Sequence, residues 1–288
     1  MSVKVVISAD MEGTCGVVSW MHVSPPEYPG KGEPLNPSEY NRARGWMTAE
    51  VNAAIAGAME GGASEVIVCD SHDGARNLIP EELDPRCRFV TGGEKPLSMA
   101  QGVDLPGVKA FFYTGYHAKA GTPSAPLAHT WTRTLNDIRI DGLSIGEFGI
   151  NAIVAGHFDV PVVLVTGDET AVAQTRQLLG EQVVGVPVKQ GLSTTAAIHV
   201  HPAVARERIR EGAKEAIETL ADARPYKLPA GAVVELDFDH QSRADQVGKL
   251  TGYTRVGERT VTYTSENGLE FLRLFKNAIE VAGIALSP

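Results

Sequence analysis

Short apolar runs rich in β-branched residues alternate along this chain with longer amphipathic stretches. The runs fall at residues 3–8, 65–70, 88–91, 109–114 and 160–166, and this alternation predicts an α/β architecture. Its sheet should be largely parallel or mixed and covered by helices on both faces. Between the first two runs, Asn36-Pro37-Ser38 combines an N-cap residue with proline in the first helical turn. The helix it starts should continue to about Glu60, where Gly61-Gly62 stops it. Asp141-Gly142, flanked by alternating apolar residues, is a hairpin signal, and a helix over about 146–157 should follow it.

Beyond the fifth run the pattern predicts a helix over 169–179, a strand over 183–188 and a long charged helix over about 203–221. The stretch 224–231, with Pro225, Pro229 and Gly231, is the most linker-like of the chain. A strand over 233–238, a β pair near 255–263 and a closing helix over about 269–286 come after it. The expected organisation is therefore a larger α/β domain over about 1–180 and a smaller C-terminal α/β unit over about 181–288. Residues 20–37 carry five prolines, Pro25, Pro26, Pro29, Pro34 and Pro37, and should form a long loop of the kind that lies over a site.

Composition narrows the function classes. A formal charge of -9 argues against a nucleic-acid partner, which would need clustered Lys and Arg. The one dense basic stretch, around Arg206, Arg208, Arg210 and Lys214, is interleaved with glutamates and reads as a solvated helix face. Three scattered cysteines, Cys15, Cys69 and Cys87, suit neither a disulfide framework nor a Cys-only zinc site, and fit a reducing cytoplasm. The strand at residue 3 leaves no room for a signal peptide, and no apolar run is long enough for a membrane span.

In parallel α/β sheets ligands bind beyond the carboxyl ends of the strands, and that is where the metal-capable residues fall. Asp10 and Glu12 follow the first strand, the Asp70-Ser71-His72-Asp73 cluster the second, and His117 the fourth; Glu147 opens a helix after the hairpin. Each has an ordinary explanation taken alone: a turn cap, a solvated charge, a core histidine, a helix-dipole partner. Their convergence on one sheet edge is what singles them out. Carboxylates mixed with imidazoles suit Zn, Mn or Co better than Mg or Ca, and the number suits two ions bridged by a carboxylate, for which Asp10 is the natural candidate. Metals there would polarise a carbonyl and acidify water, so hydrolysis is the supported reaction class. If His129 lies beside them, it could act as nucleophile, general acid or base, or electrophilic partner. His22, His157, His199, His201 and His240 lack partners at ligand spacing, Asp168 reads as a helix cap, and Cys15 and Cys69 read as small buried residues. No phosphate-cradling loop and no Gly-x-Ser-x-Gly elbow is present.

The strings Ser8-Ala9-Asp10-Met11-Glu12-Gly13, Asp70-Ser71-His72, Gly115-Tyr116-His117-Ala118 and 146–152, in that order, resemble the zinc D-aminopeptidase family typified by a bacterial dipeptide-operon protein. The likeness extends to Val188-Lys189-Gln190. It implies two zinc ions held by Asp10, Glu12, His72, His117 and Glu147, with Mn2+ or Co2+ as substitutes, and His129 as proposed nucleophile. It also implies removal of N-terminal D-amino acids from short peptides or amino-acid amides, and a cytoplasmic homo-oligomer, a decameric ring. Two other classes compete. A metal-dependent phosphoester hydrolase is disfavoured by the scarcity of cations in the motif loops, Lys119 and Arg133 excepted. A non-enzymatic dipeptide-binding protein is disfavoured by the converging ligand set and by the lack of a leader or lipid-attachment cysteine.

Overall fold

The structure, a computed structural model, describes residues 3–26 and 36–284. Its first part carries β1 (Lys4–Ala9), the one-turn α1 (Trp20–Val23), α2 (Pro37–Glu60), β2 (Glu65–Asp70), β3 (Cys87–Val90) and β4 (Val108–Tyr116). There follow β5 (Leu135–Ile140), β6 (Leu143–Ile145), α3 (Glu147–His157), β7 (Val162–Asp168), α4 (Glu169–Leu179), β8 (Val184–Ser193), β9 (Ala196–His199) and α5 (Pro202–Glu218). Last come β10 (Ala232–Phe238), α6 (Gln241–Val247), β11 (Thr254–Arg255), β12 (Thr260–Ser265) and α7 (Gly268–Ile284). Of the proline-rich segment, residues 20–23 form α1, and 27–35 lie outside the described residues.

The predicted α/β sheet is present. It has seven strands in the order β3-β2-β1-β4-β7-β8-β9, parallel throughout except for β9, which pairs antiparallel with β8. One face is covered by α2 and α5, whose Met47, Val51, Ile55, Ile209 and Ala213 join Val5, Ile7, Val66 and Val68 in one core. Full burial of a side chain such as Ile55 contributes about 1.5–3 kcal/mol. The start of α2 matches its sequence signal: the Asn36 side chain accepts from the Glu39 amide, and Pro37 occupies the first turn. The other face carries α3 and α4.

A second sheet, antiparallel, has the order β11-β12-β10-β5-β6. The predicted hairpin is there, with Asp141 and Gly142 both at positive φ (49° and 82°) as a tight turn of that twist requires. Its pairing partner is β10, nearly a hundred residues later, while β8, β9 and α5 belong with the first sheet. The sheets therefore do not divide the chain at a single position such as residue 180. Long-range packing decides this: Leu135, Ile138 and Ile140 bury against Val234, Leu236 and Phe238 in a core of their own. Helix α3 lies between the layers, giving Phe148 and Ala152 to the parallel-sheet core and Ile150 and Ile153 to the antiparallel one.

Strand order and register position the site. β1 is flanked by β2 and β4, so the chain's direction of sheet growth reverses between β1 and β4, and a crevice opens beyond their carboxyl ends. Ala9 is level with Asp70 on one side and with Thr114 on the other. The segments that follow, beginning at Asp10, Ser71 and Gly115, leave the sheet at the same height.

Candidate metal centre

The turn after β1 lies backbone to backbone against the end of β4. The Asp10 amide donates to the Thr114 carbonyl at 2.8 Å and the Gly13 amide to the Gly115 carbonyl at 2.7 Å. A Cβ on Gly13 would sit 1.9 Å from the Tyr116 carbonyl oxygen, and one on Gly115 (φ +69°) 2.2 Å from the Asp10 carbonyl oxygen. Only glycine permits this approach, and the approach places Asp10 and Glu12 beside His117.

A chain of hydrogen bonds ties together the four elements involved. The Asn151 side-chain amide on α3 donates to the Tyr116 hydroxyl at 3.0 Å; that hydroxyl lies 2.8 Å from Ser8 Oγ, which donates to Ser71 Oγ at 2.9 Å. Ser71 Oγ donates in turn to the Cys69 carbonyl at 3.0 Å. Because the Ser8 proton goes to Ser71, the Tyr116 hydroxyl must donate to Ser8, and the chain has one direction. Its members are the near neighbours of Asp10, His72, His117 and Glu147, the last one helical turn before Asn151.

All six residues singled out in the sequence come together. His72 Nδ1 is 3.4 Å from Asp10 Oδ1 and 3.1 Å from Glu12 Oε2. His117 Nε2 is 3.5 Å from Asp10 Oδ2 and 3.1 Å from Glu147 Oε1. His129 Nε2 is 3.9 Å from Glu12 Oε1 and 3.7 Å from Glu147 Oε1, and its ring stacks on that of His117 with centroids 4.0 Å apart. Asp10 thus stands between the two imidazoles of His72 and His117. Each imidazole spends its other nitrogen on a backbone carbonyl: His72 Nε2 on Val23 (2.7 Å), His117 Nδ1 on Ala118 (3.0 Å), His129 Nδ1 on Leu127 (2.8 Å). That fixes the tautomer and leaves the free lone pair of every ring facing the carboxylates, the arrangement that orients metal-ligating histidines. Trp131, at positive φ (62°), donates its amide to Glu147 Oε1 at 2.7 Å.

Burial and mutual charge shift these groups strongly. Burial, reinforced by Glu12, pushes the Asp10 carboxyl up to about 7. Burial would also raise Glu12, but His72 outweighs it and holds the carboxyl well below its usual range. The same competition, with His117 as partner, lowers Glu147. Burial disfavours charge on His72 and His117, yet Glu12 and Asp10 hold the first well above its ordinary value, and Glu147 and Asp10 carry the second to about 10. Burial and the neighbouring His117 push His129 down to about 4.

A cation fits this donor set better than protons do. Glu12 Oε2 and His117 Nε2 are fully buried and make no hydrogen bond of acceptable geometry, although each has an oppositely charged atom 3.1 Å away. Close approach without alignment is the geometry of donors directed at a shared third atom rather than at each other. The atoms of Asp10, Glu12 and His117 lie within 4.8 Å of one another, as do those of His117, His129 and Glu147, which makes two overlapping triads of mixed oxygen and nitrogen.

Lys189 is a participant that pattern reading did not single out by role. It is buried at the carboxyl half of β8, and its ammonium donates to the carbonyls of Glu12, of Thr14 at 3.1 Å and of Val17 at 2.7 Å. Burial lowers it to about 8, so it stays charged at neutral pH. Glu50 of α2 fixes the same turn by accepting the Cys15 amide at 2.9 Å. A buried lysine is rare enough to be a signal, but burial is invisible in an isolated Val-Lys-Gln string. The set-aside residues have structural work: His201 and His240 cap helices, His199 accepts the Gly16 amide, and Asp168 caps α4.

Fold and site together define an α/β protein with a buried carboxylate–imidazole cluster, a candidate metal centre, at the topological switch point of its parallel sheet. The family model described as D-aminopeptidase matches residues 3–277. A D-aminopeptidase of Bacillus subtilis (strain 168) is 32% identical over 268 residues, which cover 93% of each chain. The solved structure of the Zn-dependent D-aminopeptidase DppA from Bacillus subtilis, described as a self-compartmentalizing protease, superposes with a TM-score of 0.89 at 31% identity, covering 97% of this chain and 98% of that one. The chain belongs to the D-aminopeptidase family of peptidases.

Proposed function

We propose that this protein is a zinc-dependent aminopeptidase that removes N-terminal D-amino acids from short peptides or amino-acid amides, working in the cytoplasm as a decameric ring. The observation that carries the reading is the convergence of Asp10, Glu12, His72, His117, Glu147 and His129 at the switch point of a chain with this family membership. Asp10, Glu12, His72, His117 and Glu147 would hold two zinc ions; Mn2+ and Co2+ suit the same donors. The ions, when bound, supply the charge that polarises a scissile carbonyl and makes water acidic near neutral pH.

The chain's own residues do the rest. His129 is the catalytic residue: its Nδ1–H is held by the Leu127 carbonyl, so an unprotonated Nε2 faces the cavity through the neutral range. Its lone pair draws the proton from the attacking water and returns it to the leaving amine; were it instead to attack the carbonyl carbon, water would have to supply the amine's proton and then release the acyl group from the imidazole. Trp20 packs edge-on against the His129 ring, centroids 5.4 Å apart, and keeps bulk water from that face. The free thiols of Cys15, Cys69 and Cys87 support a reducing compartment.

The test is hydrolysis of paired D- and L-aminoacyl dipeptides. Chelation should abolish D-peptide turnover and added zinc restore it. His129→Ala should lower kcat by at least about 100-fold with zinc content unchanged, the scale expected for losing a positioned proton-transfer group. Wild-type kcat in that variant would remove His129 from the chemistry. Undiminished turnover after verified metal removal would overturn the zinc reading.

A further inference from the structure

The turn that carries Asp10 and Glu12 directs its amides and its carbonyls to different partners. The Asp10 and Gly13 amides donate to the end of β4, the Cys15 amide to Glu50 Oε1 at 2.9 Å and the Gly16 amide to His199 Nδ1 at 3.1 Å. The carbonyls of Glu12, Thr14 and Val17 converge instead on one atom, Lys189 Nζ. For the Glu12 and Val17 oxygens no other hydrogen-bond donor is present among the described residues. Lys189 is only 2% exposed, so these contacts are shielded from bulk water.

Several carbonyl oxygens gathered round one positive charge is how a polypeptide holds a bare monovalent cation. Here the charge arrives on a side chain from β8. Without it the three carbonyl dipoles would point at one another, and buried acceptors left unpaired cost more than their hydrogen bonds contribute. The turn has little freedom to relax, because Gly13 and Gly115 already hold it backbone to backbone against β4. The carboxylates of Asp168, Glu50 and Glu12 all attract the ammonium. Glu50, itself 3% exposed, keeps a buried oxygen, Oε2, with no hydrogen-bond partner, so the region holds more negative charge and acceptor capacity than its own donors satisfy.

Resting on the zinc reading above, we infer that the Lys189 ammonium is a tethered structural cation, a positioning residue that gathers the Glu12, Thr14 and Val17 carbonyls and so fixes where the Asp10 and Glu12 carboxylates stand for metal binding. What it supplies is positive charge at one point. A small free cation can therefore take its place once the side chain is shortened. The space vacated in Lys189→Ala, bounded by the three carbonyls, accepts potassium or methylammonium and is too small for choline.

Two measurements on the full chain test this. In metal-free protein, hydrogen exchange read by mass spectrometry should find residues 10–18 protected in wild type and exchanging about ten-fold faster or more in Lys189→Met and Lys189→Ala, with β10 and β12 unchanged. Zinc affinity, from competition with a chromophoric chelator, should fall about 10- to 100-fold in both variants. Potassium or methylammonium chloride should recover most of both losses in Lys189→Ala, and none in Lys189→Met, whose side chain fills the space; choline chloride at equal ionic strength should recover neither. Wild-type exchange and zinc affinity in Lys189→Met would overturn the inference, and that variant decides should Lys189→Ala fail to fold in every salt. Losses in folded Lys189→Ala that neither small cation repairs, or exchange raised equally throughout the molecule, would reduce Lys189 to packing and overturn it too. Wild-type protein that binds no zinc, yet shows the expected exchange pattern and its repair, overturns the zinc reading and leaves the tethered cation standing.

Discussion

At the scale of single residues, the proposed metal centre is a set of opposed charges that burial makes costly unless they are paired. Without metal, His72 and His117 are held charged by the carboxylates around them, and each proton sits where a cation belongs. The sign follows from the direction of the shifts. Both imidazoles have folded-state values above the ordinary 6.5, so their pairing stabilises the metal-free fold fully below that pH and is lost as pH rises through about 10, the value for His117. Zinc must displace those protons, so binding should release between one and three of them per subunit at pH 7.5, and apparent affinity should rise with pH across the same window. Calorimetry in two buffers of different ionisation enthalpy counts them. A count of zero would contradict the assignment of His72 and His117 as ligands. The sequence made these residues legible because each stands just past a strand end; it could not reveal which nitrogen faces inward, since the Val23, Ala118 and Leu127 carbonyls that decide it come from backbone geometry.

At the scale of elements, local signals and long-range packing divided the task unevenly. The Asn36 cap, the Asp141-Gly142 turn and the apolar runs marked α2, the hairpin and most strands of the parallel sheet, because capping and turn chemistry act over a few residues. Three elements escaped, the first being α1, a single turn inside the proline-rich stretch expected to be a loop. β9 is an edge strand of Ala-Ala-Ile-His, only partly buried and without alternation, and α6 is a seven-residue helix too short to show an apolar period. The sheet to which β5 and β6 belong was equally hidden, because β10 is their partner only after the intervening chain has packed. The same limit applies to the hydrogen-bond chain through Tyr116, whose members are spread from Ser8 to Asn151. Removing its central hydroxyl with Tyr116→Phe keeps the aromatic packing against Tyr113 and the backbone pairing of β4 with β1, but breaks the side-chain link from β4 to Ser8 and Asn151. We expect a stability loss of about 1–2 kcal/mol and zinc affinity lowered about 10- to 100-fold. Competition with a chromophoric chelator measures the second, and wild-type zinc affinity would show that the network does not position the ligands.

At the scale of the whole molecule, the question is what covers the β9 edge of the parallel sheet. Leu192 on β8 and Ile198 on β9 are 56% and 57% exposed, and Val204 at the start of α5 is 46% exposed. Apolar residues along an unpaired sheet edge invite association, and a monomer usually protects such an edge with charge, proline or a covering segment. DppA, the structural relative, is described as self-compartmentalizing, which requires copies to enclose a space. A closed ring built from one repeated contact joins two different patches on each subunit, so one apolar edge supplies half of each contact. The proposed ring of ten subunits of 30.7 kDa should sediment at roughly 300 kDa at micromolar concentration. Replacing both Leu192 and Ile198 by aspartate should yield smaller particles, because each contact would then bury unpaired carboxylates. Such variants keep the proposed metal ligands, which none of these side chains touches, so their zinc content separates disassembly from misfolding. A wild-type protein sedimenting as a monomer would exclude the ring, and intact large particles from the double variant would move the contact to another face.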